Sequence, residues 1–391
     1  MAQESIRPKG GVLLFLPWEF DLLGGVDVVA ERLWRGLERQ IPGQALIGIQ
    51  DWTLSGDKQD EAGRRFLHLN FPAPVSADHP LSARYLMTLL RRAPSMLREL
   101  RRHRIQIVNF HFPTLNAYPL ALLKRLGLWK GKIVLSFHGS DVGNVRADSP
   151  AWRLIAGECD GVTACSAALA DRVAALGLFE RERVSVVYNG IDCERFPSIA
   201  EALEDALPDR FVLNVGNYVA NKAQNVLLDA FALLATDYPD LGLVMVGGTD
   251  QGEWLQGLKE QAFRLGLGDR VLFLENMPQS GVAWLMGKAL CLAHASYNEA
   301  FGLVVIEAGA CKLPVVATRV GGIPEIVTSG QDGLLVEAGD SLAMAQAIRA
   351  VLNDSVASAA RAGQFHERIL QRFSDDATTR GYFDVYLRVS D

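Results

Sequence analysis

The sequence predicts an α/β protein built from two doubly wound, Rossmann-like domains. Short aliphatic runs alternate with segments of helical length along the whole chain, and that βαβ series is run twice. Between the two series lies "CERFPSIAEALEDALPDRF", a polar, acidic stretch flanked by prolines, which reads as a linker. At 391 residues the chain can bury a separate core in each domain. The expected organisation is a first domain over 1–197, a linker over 198–208, a second domain over 209–370 and a last helix over 371–391 that folds back onto the first domain.

In the first half the runs "GVLLFLP", "ALIGIQ", "IQIVNFHF", "KIVLSFHG", "GVTACS" and "RVSVVYNG" read as strands. They are continuous rather than alternating, as strands of a parallel sheet buried on both faces must be. The second half supplies "FVLNVG", "LGLVMVGG", "RVLFLE", "ALCLAHA" and "PVVAT" in the same way. Between them "GVDVVAERLWRGLERQ", "AALADRVAALG" and "QNVLLDAFALLATDYP" carry helical periodicity, and after Asp340 "SLAMAQAIRAVLND", "SVASAARAGQFHERILQRF" and "TTRGYFDVYLRV" read as consecutive helices.

Composition excludes several classes. A net charge of −6 gives no basic field for nucleic acid, so no nucleic-acid partner is expected. The five cysteines form no CxxC pair and several lie in apolar runs, which implies reduced, buried thiols in a cytoplasmic protein and no zinc site. Pro17, Glu19 and Asp21 interrupt the first apolar run, and no segment offers about 18 uninterrupted apolar residues, so neither a signal peptide nor a membrane span is expected. A dehydrogenase would open its first helix with GxGxxG, whereas the strand ends here read "LPWEF", "VGNYVANK" and "VGGTD".

Within "SYNEAFGLVVIEAGACKLPVVAT", Glu299 and Glu307 stand eight positions apart. If the helix begins near Phe301, a rise of about 1.5 Å per residue puts them roughly 12 Å apart and within about 80° around the axis. That exceeds the roughly 5–9.5 Å of a glycoside-hydrolase carboxylate pair. The two can instead grip the hydroxyl-bearing ends of one extended ligand, with a phosphate held between them at the helix N-terminus. A nucleotide sugar has that shape. The helix is apolar almost all round, so Glu307 inside it needs a partner.

In doubly wound sheets, ligands lie beyond the carboxyl ends of the strands. The polar residues there are Gly24, Gly25, His111, His138, Ser166, Asn189, Asn217, Lys222 and Glu299, and a cleft between the two domains would gather them. "NEAFGLVVIEAGACKLPVVATRVGGIPEIVTSGQDGLLVEAGD" resembles the signature of the family-4 retaining glycosyltransferases of GT-B fold, whose E-x7-E motif matches Glu299 and Glu307. "LGGVDVVAERL", "FHGSDV", "DGVTACSAALADRV", "VVYNGIDCERF" and "VGNYVANKAQNVLLDAF" are similar to further elements of that family, in the same order, so the resemblance covers nearly the whole chain.

The resemblance implies that Glu307 holds the ribose of the donor nucleotide and Glu299 the hydroxyls of the transferred sugar. Backbone N–H groups of Phe301, Gly302 and Leu303 would face the diphosphate, with Lys222 and Gly25 reaching it and His138 lying near the anomeric carbon. The family usually has arginine after the glycine of the phosphate loop and glycine after the lysine, where this sequence has Asn217 and Ala223. Asn217 can donate hydrogen bonds but brings no charge, and Arg319 is the candidate to compensate. The implied reaction moves a hexosyl unit from a UDP- or GDP-linked donor to an acceptor hydroxyl, in cell-envelope polysaccharide or glycolipid synthesis. It retains the anomeric configuration and needs no metal or cofactor beyond the donor. The rivals are a sugar-nucleotide 2-epimerase of the same fold and a non-catalytic nucleotide-sugar-binding protein.

Residues 84–104, "RYLMTLLRRAPSMLRELRRHR", hold seven arginines against one acidic residue in a chain that is acidic overall. Pro94 divides them into two amphipathic halves. Large apolar residues beside charge of one sign suit an anionic membrane surface and a lipid-linked acceptor, so reversible peripheral binding at the inner face of the plasma membrane is expected.

Overall fold

A computed structural model of the chain describes residues 10–20, 25–51, 56–59, 64–198, 207–248 and 252–390. It divides into two compact units, residues 1–189 with 375–391 and residues 190–374.

The first unit contains β1 (Gly11–Leu16), α1 (Gly25–Gln40), β2 (Ala45–Gln50), β3 (Gly56–Gln59), β4 (Arg65–Leu69), α2 (Ala83–Arg102), β5 (Ile105–His111), α3 (Tyr118–Arg125), β6 (Lys132–Phe137), α4 (Pro150–Glu158), β7 (Gly161–Ala164), α5 (Ala167–Ala175) and β8 (Val184–Val186). Its sheet runs β3-β4-β2-β1-β5-β6-β7-β8, parallel except for β3, which pairs antiparallel with β4 at one edge. Both faces of the central strands are covered, and every residue of β1 and β2 is buried.

The second unit contains α6 (Arg195–Ser198), β9 (Arg210–Val215), α7 (Gln224–Ala235), β10 (Leu241–Gly247), α8 (Glu253–Arg264), β11 (Val271–Glu275), α9 (Gln279–Lys288), β12 (Cys291–His294), α10 (Leu303–Ala310), β13 (Val315–Thr318), α11 (Ile323–Ile326), β14 (Leu334–Val336), α12 (Ser341–Asn353) and α13 (Ser355–Arg372). The chain then returns to the first unit as α14 (Asp375–Ser390). The second sheet is all parallel in the order β11-β10-β9-β12-β13-β14. In each sheet the chain builds outward one way and then the other, so the order reverses between β1 and β5 in the first and between β9 and β12 in the second. Those switch points are where such sheets open a crevice.

Several expectations need correction. The aliphatic runs are strands, but β3, β4 and β14 join them. The boundary falls at Asn189 rather than 197, because Ile191 bridges Ser374 and the side chains of Ile191 and Phe196 are buried in the second unit. The last helix begins at Asp375, and Phe373 stays behind, packed on Phe301 at 5.9 Å. Most of the expected linker, 199–206, lies outside the described residues. Pro94 does not divide its segment: α2 is continuous, with Pro94 on its exposed side. Helix α10 begins at Leu303, not near Phe301, so Glu299 precedes the helix and the shared-face geometry does not apply. Cys159, Cys165, Cys193 and Cys291 are buried free thiols and Cys311 is half-buried.

Helix α14 packs on α1 at close range. A Cβ at Gly36 would fall 1.9 Å from Thr379 Oγ1 and 2.9 Å from Thr379 Cβ, and Thr379 is buried, so only glycine allows this approach. Gly36→Ala is expected to cost about 1–3 kcal/mol through overpacking, seen as a lower Tm, despite the better helix propensity of alanine. Thr379→Ala in the same chain should recover most of the loss, and an additive double mutant would show that the two helices do not meet there.

Candidate active site

In the second unit the site grows from the ends of β9 and β12. After β9 the chain runs Gly216-Asn217 into a short 3₁₀ turn, Ala220–Lys222, and then α7. Ala223, between turn and helix, is held in the left-handed region at φ 49°, ψ 36°. A residue with a Cβ pays about 1–2 kcal/mol there. The fully buried methyl of Ala223 offsets part of that cost, at about 0.8 kcal/mol. Gln224 braces the loop from below: its Nε2 donates to the carbonyls of Gly216 (3.2 Å) and Asn217 (2.9 Å), and its Oε1 accepts from Trp254 Nε1 (3.1 Å).

After β12 the chain passes through Ser296 to Glu299, and Tyr297 N donates to Asn221 O at 2.8 Å, which ties the two loops together. Lys222 Nζ donates to Glu299 Oε2 at 2.6 Å. His294, the last residue of β12 and buried, places Nε2 3.1 Å from the same oxygen and 3.1 Å from Ser296 Oγ. Burial alone would raise the pKa of Glu299. The hydrogen bond with His294 and the positive Lys222 outweigh it and hold the carboxyl at about 2, so Glu299 is ionised at neutral pH.

The next residues form a helix N-terminus. Gly302 takes φ 112°, and a Cβ there would lie 2.5 Å from Ile323 Cδ1, so the position demands glycine on two counts. Helix α10 has no side-chain cap, and its first intrahelical bonds are Val305 N and Ile306 N to Gly302 O. The N–H groups of Gly302 and Leu303 precede that ladder, at the positive end of the helix. Phe301 is buried. Glu307 is half-buried in the second turn. Asn217 is exposed, and Arg319 pairs with Glu337 at 3.3 Å on an exposed rim.

In the first unit, Gly25 opens α1 beyond β1 and is exposed, while Gly24 lies outside the described residues. His138 follows β6 and is half-buried, its Nε2 3.0 Å from Nδ1 of the buried His111 at the end of β5. The aspartate of the "HGSD" loop, Asp141, accepts from the backbone N–H groups of His138 (2.8 Å), Gly139 (2.7 Å) and Val142 (3.1 Å) and so shapes the loop. Ser166 is a helix cap, accepting from Leu169 N at 3.0 Å, and Asn189 is buried.

The structure thus joins Lys222, Glu299 and the α10 N-terminus in one site and places His138 and Gly25 at strand ends of the other unit. Sequence reasoning missed His294 and Ser296; the only signal for them was polarity at the end of a strand beside the switch point. Among the described residues no group of three or more His, Cys, Asp or Glu side chains is arranged to hold a metal ion, and no helix is long and apolar enough to cross a membrane.

Two doubly wound, Rossmann-like units are the architecture of the GT-B glycosyltransferases. The sequence model of "Glycosyl transferases group 1" matches residues 195–368 and that of "Glycosyltransferase Family 4" matches residues 23–195. The chain belongs to the family-4 glycosyltransferases. It is 29% identical over 307 residues to an N-acetyl-alpha-D-glucosaminyl L-malate synthase of Bacillus anthracis, a match covering 76% of this chain and 78% of that protein. It is 37% identical over 222 residues to a D-inositol 3-phosphate glycosyltransferase of Streptomyces avermitilis, covering 53% of this chain and 47% of that one, so it spans about half the length of this relative. The structure of Anabaena HepE in complex with UDP and glucose superposes with a TM-score of 0.72 at 20% identity, over 95% of this chain and 98% of that one.

The depressed pKa of Glu299 has a measurable sign. Its contribution to stability is fully present above about 4.5, the ordinary value, and is lost as pH falls toward about 2. Thermal unfolding followed from pH 5 downward should show the wild type losing on the order of 3 kcal/mol more than Glu299→Gln. Parallel curves for the two proteins would show that the carboxylate is not held by its neighbours.

Proposed function

We propose that the protein transfers a hexosyl unit from a nucleoside-diphosphate sugar, UDP- or GDP-linked, to an acceptor hydroxyl with retention of configuration. The observation that carries this reading is the Lys222–Glu299 pair beside the N-terminus of α10 at the switch point of the second unit. It offers cationic and N–H donors for a diphosphate next to a carboxylate for sugar hydroxyls. The ammonium has three donors, and the Glu299 contact uses one. Glu307, one turn into α10, is assigned to the ribose, Asn217 and Gly25 to the diphosphate, and His138 to the transferred sugar. HepE, of the same fold, is known with UDP and glucose.

As the glycosidic C–O bond breaks, negative charge grows on the diphosphate, so Lys222 and the N–H groups of Gly302 and Leu303 stabilise the transition state more than the ground state. With those donors in place the reaction needs no metal and no cofactor beyond the donor. Attack comes from the face the diphosphate leaves, and the departing phosphate oxygen takes the acceptor's proton. Because Asn217 is uncharged and Arg319 is paired with Glu337, Lys222 carries the side-chain positive charge at this loop.

Lys222→Ala is expected to lower kcat by about 10²-fold with a smaller change in donor KM. Glu307→Gln should weaken free nucleoside diphosphate and intact donor alike, by about 1.5–3 kcal/mol. Glu299→Gln, which also removes a negative charge beside Lys222, should leave the free nucleotide bound at least as well and impair the intact donor. The deciding assay is release of nucleoside diphosphate from a panel of nucleotide sugars with and without acceptors. Acceptor-dependent release supports transfer, conversion of donor alone indicates the epimerase, and binding without turnover the non-catalytic protein.

The protein is further proposed to be cytoplasmic, to act on a glycan or lipid-linked acceptor, and to bind the inner membrane face through α2. Leu86, Met87 and Leu90 are 40%, 60% and 75% exposed on that helix, with Arg84, Arg91 and Arg92 exposed beside them. Exposed leucines next to arginines suit insertion into an anionic interface. Sedimentation with anionic but not neutral vesicles, weakened by salt and by replacing Arg84, Arg91 and Arg92 with glutamine, is the expected result. Equal sedimentation with both vesicle types, or none, would assign α2 to solvent and favour a soluble acceptor.

A further inference from the structure

Behind His138 runs a chain of hydrogen bonds whose direction follows from the placement of the Asn109 amide. Asn109, buried in β5, has its amide nitrogen 3.2 Å from His111 Nε2 and 2.8 Å from the hydroxyl of Tyr386 on α14. Its oxygen accepts from Ser136 Oγ at 2.8 Å, and Ser136 Oγ accepts from Thr163 Oγ1 at 2.8 Å. An amide nitrogen only donates, so His111 Nε2 bears the lone pair and the neutral ring carries its proton on Nδ1. That proton faces His138 Nε2 at 3.0 Å, so His138 accepts there and carries its own proton on Nδ1. Burial favours the neutral rings: it pushes His111 well below 6.5, with the neighbouring His138 adding to the effect, and lowers His138 to about 4.

We propose that Asn109 and His111 are positioning residues that hold His138 in its Nδ1–H form, so that the ring offers the reacting sugar a hydrogen-bond donor and not a basic lone pair. The use made of that donor rests on the glycosyltransferase reading; the tautomer rests on the hydrogen bonds alone. A free imidazole ordinarily favours the Nε2–H form, so two adjacent rings in the other form require an imposed direction. Tyr386 supplies part of it. Its hydroxyl accepts the second amide hydrogen at 2.8 Å, in an amide placed with its nitrogen toward His111 and Tyr386 and its oxygen toward Ser136. His138, with Nε2 engaged and Nδ1 protonated, has no lone pair with which to take the acceptor's proton.

The test uses the full chain without ligand. Long-range ¹H–¹⁵N spectra of the ¹⁵N-histidine protein at pH 7, assigned with His111→Gln and His138→Gln, should show both rings neutral and protonated on Nδ1. Either ring in the Nε2–H form overturns the proposal, whatever the variants do. In Asn109→Asp the new carboxylate accepts from His111 Nε2–H, so both rings should invert and His138 should lose its outward donor. Sugar transfer should then fall by about 10²-fold with binding of free nucleoside diphosphate unchanged. Inversion without loss of transfer overturns the functional half of the proposal. Tyr386→Phe, a milder change, should mix the two forms. If no nucleotide sugar supports transfer, the glycosyltransferase reading fails while the spectra still decide the tautomer.

Discussion

Burial of both faces of a parallel sheet is the constraint on which the rest of this molecule depends. Backbone donors and acceptors along such strands are committed to the ladder, and side chains on either face meet packed helices, so the middle of each strand has to be apolar. Polar chemistry is thereby confined to the carboxyl ends. Asn109, Ser136 and Thr163 in the first sheet, and Asn214, His294 and Thr318 in the second, all fall within the last three residues of their strands and all are hydrogen-bonded. Each sheet therefore has an inert body and a polar belt along one edge.

The belt explains why residues distant in sequence act together. His111 stands opposite Ser136 in the ladder, and Ser136 opposite Thr163, so register alone brings three elements of the hydrogen-bond chain within reach. In the second sheet the divergence of the chain between β9 and β12 brings Lys222 to Glu299 across 77 positions of sequence. The helix dipole of α10 then faces the same spot because Gly302 turns the chain sharply out of the loop and into the helix.

Much of this was legible before the structure. Continuous aliphatic runs marked the buried strands, and Glu299 and Lys222 stood out as charged residues just beyond them. What escaped had no local signature. "GDKQ" of β3 has no apolar run because it is an antiparallel edge strand, and "LLV" of β14 is too short to show a period. The start of α10 was misplaced because glycine's permissive backbone hides where a helix begins. Pro94 was read as a break, yet it stands on the exposed side of α2, where water can satisfy the carbonyl left without its N–H. His294 looked like one more residue of an apolar strand. Only its place beside the reversal of strand order made it part of the site.

The return of α14 to the first unit has a consequence for the order of assembly. The strands β1 to β8 are made before the second unit, but Tyr382 and Tyr386, which fill the core against α1, and the hydroxyl of Tyr386 that accepts from Asn109, are made only after it. The first unit is thus completed only after the second. During synthesis it carries a gap where two tyrosines belong, while the second unit, continuous in sequence, can finish folding on its own. A nascent chain that stalls short of Asp375 would hold a formed second unit and an unfinished first one, so His138 takes up its final surroundings only once α14 has been made.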